Sequence, residues 1–180
     1  TVFTKNRDRL FQGDIAQAFF AAVLAQARQA NLVSAEHFTV DGTLLEAWAS
    51  HKSVKPKGQP TSPPTDDDPG NPTIDFRGEK RTNATHQSTT DPDAQLIRKS
   101  RGQAAILGYR GSVLMENRHG LVVGAQATQV VGAAEPTTAL TLATAIPGNH
   151  RATLGGDKGY DTAEFVQGCR DLQITPHVAQ

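Results

Sequence analysis

Residues 106–128 read ILGYRGSVLMENRHGLVVGAQAT. Two strand-like runs, Ile106 to Glu116 and Leu121 to Thr128, flank Asn117-Arg118-His119-Gly120. The spacing predicts a β-hairpin with Gly120 at the turn position most tolerant of positive φ. Downstream, Pro136 opens a helix at its first turn, where the missing N–H costs nothing. Ala139, Leu140, Ala143 and Ile146 fall on one side of that helix, and Pro147-Gly148 end it. Ala152 to Gly156 is a short strand running into Asp157. Asp161 and Glu164 then form an Asp-x-x-Glu capping box. The helix behind it carries Phe165, Val166, Cys169 and Leu172, and Ile174 to Val178 makes a last strand.

Upstream of the hairpin, His37-Phe38-Thr39-Val40-Asp41 alternates as a strand with Phe38 and Val40 on one face. Leu44 to Trp48 continues the apolar content and is expected as a short helix, with Trp48 read as core rather than as a base-stacking platform. Residues 14–30 read as a helix capped by Asp14, with Ile15, Phe19 and Val23 recurring every four residues and Asn31 as its stop. A hairpin followed by alternating helices and strands predicts an α/β fold, a mixed sheet flanked by helices.

Between Lys55 and Pro72 the pattern disappears, because six of the ten prolines fall there around Asp66-Asp67-Asp68. Proline fixes φ and removes a donor, so neither helix nor sheet is expected through this stretch. Residues 53–75 read as a flexible surface segment, and 76–103 as polar and basic. The whole of about 53–103 is expected as a flexible insertion.

The 180 residues carry 18 Lys+Arg and 18 Asp+Glu. Within residues 51–110 there are ten bases and seven acids, so a basic middle is balanced by acidic flanks. Such a middle is read either as a phosphate-binding surface or as a charged, solvated loop. The single Cys169 excludes a disulfide framework and a Cys-based zinc site. The six histidines show no metal-ligand spacing. No apolar run reaches the ~20 residues of a membrane helix, and no leader pattern opens the chain, so a soluble cytoplasmic protein without a membrane partner is expected. Both ends look cut.

Two acids share a setting. Asp41 is followed by Gly42, Asp157 follows Gly155-Gly156, and each is read at the carboxyl end of a short apolar strand. In open α/β sheets ligands bind in the crevice beyond such strand ends. If the strands are neighbours, the carboxylates converge, and a hard divalent cation relieves their repulsion. Two such ions can clamp a phosphodiester. The other reading is two turn residues, since Asp-Gly is a common turn signal.

Asp41-Gly42-Thr43-Leu44 together with Gly156-Asp157-Lys158-Gly159-Tyr160-Asp161 resembles the first and last motifs of haloacid dehalogenase-like phosphatases, Asp-x-Asp-Gly-Thr and Gly-Asp-x-x-x-Asp. That family's nucleophile is the first Asp, and Thr39 stands there in this chain. A neutral hydroxyl with no adjacent base cannot take that covalent role.

A second resemblance covers the chain in order from about residue 3 to residue 180. FTKNRDRL (3–10), HFTVDGTLLEAWASHK (37–52), STTDPDA (88–94), MENRHGLVV (115–123) and LGGDKGYDT (154–162) resemble segments of bacterial insertion-sequence transposases of the DDE superfamily. The resemblance implies a ribonuclease H-like fold, incomplete at the C-terminus, with the hairpin beside the first strand and the Asp157 strand on its other side. It divides the chain into an N-terminal helical segment, 1–34, and a partial catalytic domain, 35–180. It makes Asp41 and Asp157 the first two catalytic acids, holding Mg²⁺ or Mn²⁺ in a two-metal site. The implied activity is DNA cleavage and strand transfer at transposon ends, with double-stranded DNA as partner and a homo-oligomer in the intact protein. The family's third acid, a Glu within Tyr-x2-Arg-x3-Glu, has no counterpart here, and Glu164 and Asp171 lie on the preceding helix. The isolated chain is therefore expected to be inactive. A non-enzymatic DNA-binding remnant is the alternative.

His51, Lys52, Lys80, Arg81 and Lys99 are candidate phosphate contacts, although each taken singly reads better as a solvated loop charge. Lys158 and Tyr160 flank Asp157, and could contact the DNA or support the acid. Ser88, Ser100 and Ser112 lack the Gly-x-Ser-x-Gly setting of a serine hydrolase.

Overall fold

The computed structural model describes residues 6, 14–58, 81–100, 102–130, 135–146 and 152–179. Helix α1 spans Ile15–Gln29. Strand β1 is His37–Glu46, followed by β2 (Val54–Pro56), β3 (His86–Ser88) and β4 (Gln95–Ile97). The hairpin is β5 (Ile106–Glu116) and β6 (Leu121–Thr128). Helix α2 is Glu135–Ala143, β7 is Thr153–Gly156, α3 is Ala163–Asp171 and β8 is Thr175–Val178.

The main sheet runs β6-β5-β1-β7-β8, with β4 sharing with β6 the outer edge of β5. The pairs β1–β5 and β5–β6 are antiparallel, whereas β1–β7 and β7–β8 are parallel. That order and polarity is the ribonuclease H-like arrangement: a hairpin on one side of the first strand, parallel crossovers on the other.

The hairpin has a direct local cause. Gly120 takes φ 69°, which a residue without Cβ adopts freely. Glu116 closes the turn from inside, accepting from the N–H groups of Arg118 and His119 at 2.8 and 3.0 Å and from the Ser34 hydroxyl at 2.7 Å. Its side chain is 0% exposed. Burial works against its charge, but the Ser34 hydroxyl and the two N–H donors outweigh it, with His119 adding to them, and hold the carboxyl at about 2.

The two helices cover one face of the sheet. Phe38 and Val40 of β1, Leu114 of β5, Val123 of β6 and Leu154 of β7 pack against Ala139 and Ala143 of α2 and Phe165 and Cys169 of α3. Small residues let α2 and α3 meet closely: a methyl on Gly168 would sit 2.5 Å from Leu140 Cδ1. A second, smaller cluster joins Val54, Ala94 and Leu107, with Ala47, Ala49, Leu96 and Tyr109 packed on it. Tyr109 donates to Asp91 Oδ1 at 2.6 Å, tying the 88–94 loop to β5.

Several sequence expectations change. Leu44 to Glu46 is not a helix but the continuation of β1, because β5 keeps pairing as far as Glu46↔Gly108. Residues 54–56, 86–88 and 95–97 are strands within the stretch expected to lack them, while 59–80 lie outside the described residues. Asp14 makes no side-chain cap on α1, since its backbone is left-handed (φ 49°). None of the α1 residues is buried, and Ile15, Phe19 and Val23, the residues that recur every four, are exposed. Thr162, not Asp161, caps α3, accepting from the Phe165 N–H at 3.2 Å. Asn31 does end the α1 region with positive φ (55°). The described residues contain no helix long and apolar enough to cross a membrane.

Candidate active site

Parallel pairing places β1 and β7 side by side, with His37↔Thr153, Phe38↔Leu154 and Thr39↔Gly155 in register. Asp157 is the residue immediately after β7. Asp41 lies two residues past the last registered pair on β1, as Asp157 does on its side. The acids are thus at matching levels on adjacent parallel strands. One expectation is corrected: Asp41 is inside β1 rather than at its carboxyl end, because β5 extends the strand after β7 has stopped. The crevice therefore opens where β7 ends, alongside the middle of β1.

Both carboxylates are exposed and each is fixed by one backbone donor. Asp41 Oδ1 accepts from the Gly42 N–H at 2.8 Å, and Asp157 Oδ1 accepts from the Gly159 N–H at 2.8 Å. The second bond belongs to the 3₁₀ turn Lys158–Tyr160, which Asp157 caps. Each acid is oriented while most of its acceptor capacity stays available. That donor set suits a hard cation, since Mg²⁺ is commonly held by one or two carboxylates, waters and substrate phosphate oxygens.

A buried hydroxyl supports the same fit. Tyr160 is 1% exposed, its ring 5.3 Å from that of Phe165, yet its hydroxyl has no hydrogen-bond partner. Burial, then the carboxylates of Glu135, Asp157 and Asp41, push the phenol up to about 12, with Arg110 opposing. The hydroxyl thus stays protonated, a spare donor close to the two proposed acids. Gly156 is the close approach that makes room: a methyl there would meet the Tyr160 ring at 2.9 Å.

Sequence reasoning missed two charged groups here. Glu135 opens α2, and its carboxylate lies beside strand β1 and the Lys158–Tyr160 turn: a methyl on Gly42 would be 2.8 Å from Oε1, and one on Gly159 would be 4.0 Å from Oε2. Arg110 of β5 pairs with it, Nε to Oε1 at 3.3 Å, close enough for an ion pair but not aligned as a hydrogen bond. The signal available was only an acid beside Pro136 in a first helical turn, where acids are common for dipole reasons. Among the described residues, no three His, Cys, Asp or Glu side chains gather closely enough to hold a metal ion. Glu135 is paired with Arg110.

The remaining candidates scatter. Lys158 is exposed next to Asp157. His51 and Lys52 form a 3₁₀ turn beyond the far end of β1, and Lys99 follows β4 at that same end of the sheet. Arg81 precedes β3, and Lys80 lies outside the described residues. Thr39, at the position of the phosphatase nucleophile, is half-buried within β1.

No family model matches the chain, and no curated protein matches it. Among solved structures it is similar to a piggyBac transposase synaptic complex with hairpin DNA, seen by cryo-electron microscopy. The TM-score is 0.41 at 11% identity, covering 79% of this chain and 22% of that one. The chain thus spans about a fifth of that protein's length.

Proposed function

We propose that this chain is the acid-bearing part of a DDE transposase, a metal-dependent domain for DNA strand cleavage and transfer. The observation that carries the reading is the register of Asp41 and Asp157 on adjacent parallel strands of a ribonuclease H-like sheet. The motif resemblance of residues 37–52 and 154–162 supports it independently.

Asp41 and Asp157 would hold Mg²⁺ or Mn²⁺, which supplies charge stabilisation and an activated oxygen nucleophile at the phosphodiester. The chain's own residues position and polarise. The Gly42 and Gly159 N–H groups fix the carboxylates, so no reorganisation is needed when substrate arrives. The buried, protonated Tyr160 hydroxyl is a spare donor within the electrostatic reach of both acids. Arg110 neutralises Glu135, which would otherwise repel a phosphate approaching the same crevice. Lys158 offers a positive charge at its rim. The reading assigns no third ligand among these residues. Transposon ends and target DNA are the proposed substrates, and a homo-oligomer is the proposed working form.

Thermal melting with Mg²⁺ or Mn²⁺ tests this. The wild-type chain gains stability on adding either ion, and Asp41→Asn and Asp157→Asn each lose that gain. Equal shifts in all three proteins would sink the site. Salt-sensitive retention on duplex DNA with no metal response would instead identify a non-enzymatic DNA-binding protein.

A further inference from the structure

Trp48 is the chain's single tryptophan and is 100% exposed. The sequence reading had it in the core, so the reversal needs a cause. Alternation continues past the end of β1: Ala47 and Ala49 turn inward onto the Val54–Ala94–Leu107 cluster, and Trp48 between them must turn outward. The backbone is pinned on both sides. The Ala47 N–H donates to the Leu107 carbonyl at 2.9 Å, and the Ser50 hydroxyl accepts from the Lys52 N–H at 3.2 Å. The indole is therefore displayed by an anchored segment, not by a loose end. It lines an open depression of about 500 Å³ with Glu46, Ala47, Ala49 and Ser50.

Leaving an indole in water forgoes the burial that normally stabilises it, by about 25 cal/mol per Å² of apolar surface. The surroundings say what kind of surface would cover it. Residues 46–58 carry Lys52, Lys55 and Lys57 against one carboxylate, Glu46, and Lys52 and Lys55 are exposed. An exposed aromatic followed within seven residues by two exposed lysines supplies the parts of a single-stranded nucleic-acid site, a ring for a base to stack on and cations for the phosphates. Bases inside a duplex have no free face, so the occupant has to be unpaired. Trp48 lies seven residues beyond Asp41 along one chain, ~20 Å in extended geometry. At 3.4 Å per stacked nucleotide, that corresponds to about six nucleotides.

We propose that Trp48, with Lys52 and Lys55, is a stacking site for an unpaired base of a DNA strand whose phosphodiester lies at Asp41 and Asp157. This rests on the transposase reading for its polymer, but the stacking is a separate claim with a separate readout. Trp48 emission in the full chain reports on it directly, and anisotropy of labelled DNA reports binding of any kind. The probes are a blunt duplex and the same duplex with a six-nucleotide single-stranded overhang. The expected result is quenching of Trp48 by the overhang DNA and little change with the blunt duplex. Trp48→Ala should lower affinity for overhang DNA by roughly tenfold or more, leave blunt-duplex affinity unchanged, and melt like wild type. Trp48→Phe should restore most of the loss.

Binding of both DNAs by anisotropy with Trp48 emission unmoved overturns the stacking site and leaves the transposase reading standing. Binding of neither DNA overturns both. A blue shift of the emission with rising protein concentration, DNA absent, means a second copy covers the indole, and this also overturns the proposal.

Discussion

At the residue scale, the same atom added at two glycines should have different consequences. A methyl at Gly156 meets the Tyr160 ring at 2.9 Å, and that ring is buried against Phe165 with nowhere to retreat. Gly156→Ala is expected to destabilise the fold by about 1–3 kcal/mol, the range for overpacking a core. At Gly42 the obstruction is the tip of the half-exposed Glu135 side chain, which can swing away. Gly42→Ala should therefore cost about 1 kcal/mol or less, and equilibrium urea unfolding of the two variants gives the ordering. Equal losses would mean the Glu135 carboxylate is as tightly held as the tyrosine ring.

Glu116 offers a second residue-level prediction, this time in pH. Its folded carboxyl is held at about 2 against an ordinary 4.5. A depressed acid contributes stability that is fully present above 4.5 and is lost as pH falls toward 2. The melting temperature of the wild type should fall more steeply across that window than that of Glu116→Gln. Above it, the Gln variant should be less stable by about 1–3 kcal/mol, because its amide turns a donor toward the N–H and hydroxyl donors. Parallel pH curves for the two proteins would remove Glu116 from the account.

At the scale of elements, the hairpin was legible because two long strand-like runs, β5 and β6, flank turn residues adjacent in sequence. Gly120, with its positive φ, sits where the pattern placed it. The strand after the hairpin helix and the last strand were legible for the same reason, short apolar runs bounded by glycine or a cap. The region from Leu44 to Ile97 was not. β2, β3 and β4 are three residues each, too short to show a period, and they exist through pairing with distant partners. The apolar run at Leu44–Leu45 hid the alternation that continues through Trp48, so strand was mistaken for helix. Asp41 and Asp157 stand out in the sequence through their neighbouring glycines, but the expectation that both close a strand fails for Asp41, which lies inside β1. Glu135 carried only the weak signal of an acid in a first helical turn and Arg110 carried none, since the packing of α2 against β5 and β1 is what brings them together. Central to these elements is Leu114, 0% exposed between β1 and β6. Leu114→Ala should lower stability by about 2–5 kcal/mol, measured by urea unfolding, whereas a similar truncation at Phe19 on α1, 69% exposed, should change it by about 0.5 kcal/mol or less.

For the whole molecule, the architecture sets what the acids can do. Two crossovers bring β7 and β8 parallel to β1, and only that polarity puts the residue after β7 level with the middle of β1. An antiparallel β7 would have carried Asp157 to the opposite end of the sheet. The helices on one face hold the sheet in register, while the crevice beside β1 stays open and keeps Asp41 and Asp157 exposed. Cys169, buried and pushed up to about 11 by that burial, is a convenient reporter that this packing is intact. Its thiol should resist alkylation in every variant that keeps the fold.

The central claim is that Asp41 and Asp157 share one divalent cation. The most direct measurement is Mn²⁺ binding to the folded chain, followed by the loss of the free-ion signal in electron paramagnetic resonance. The account predicts binding to the wild type that either Asp41→Asn or Asp157→Asn alone abolishes, with Cys169 still protected in both. Binding left unchanged by either substitution would contradict it.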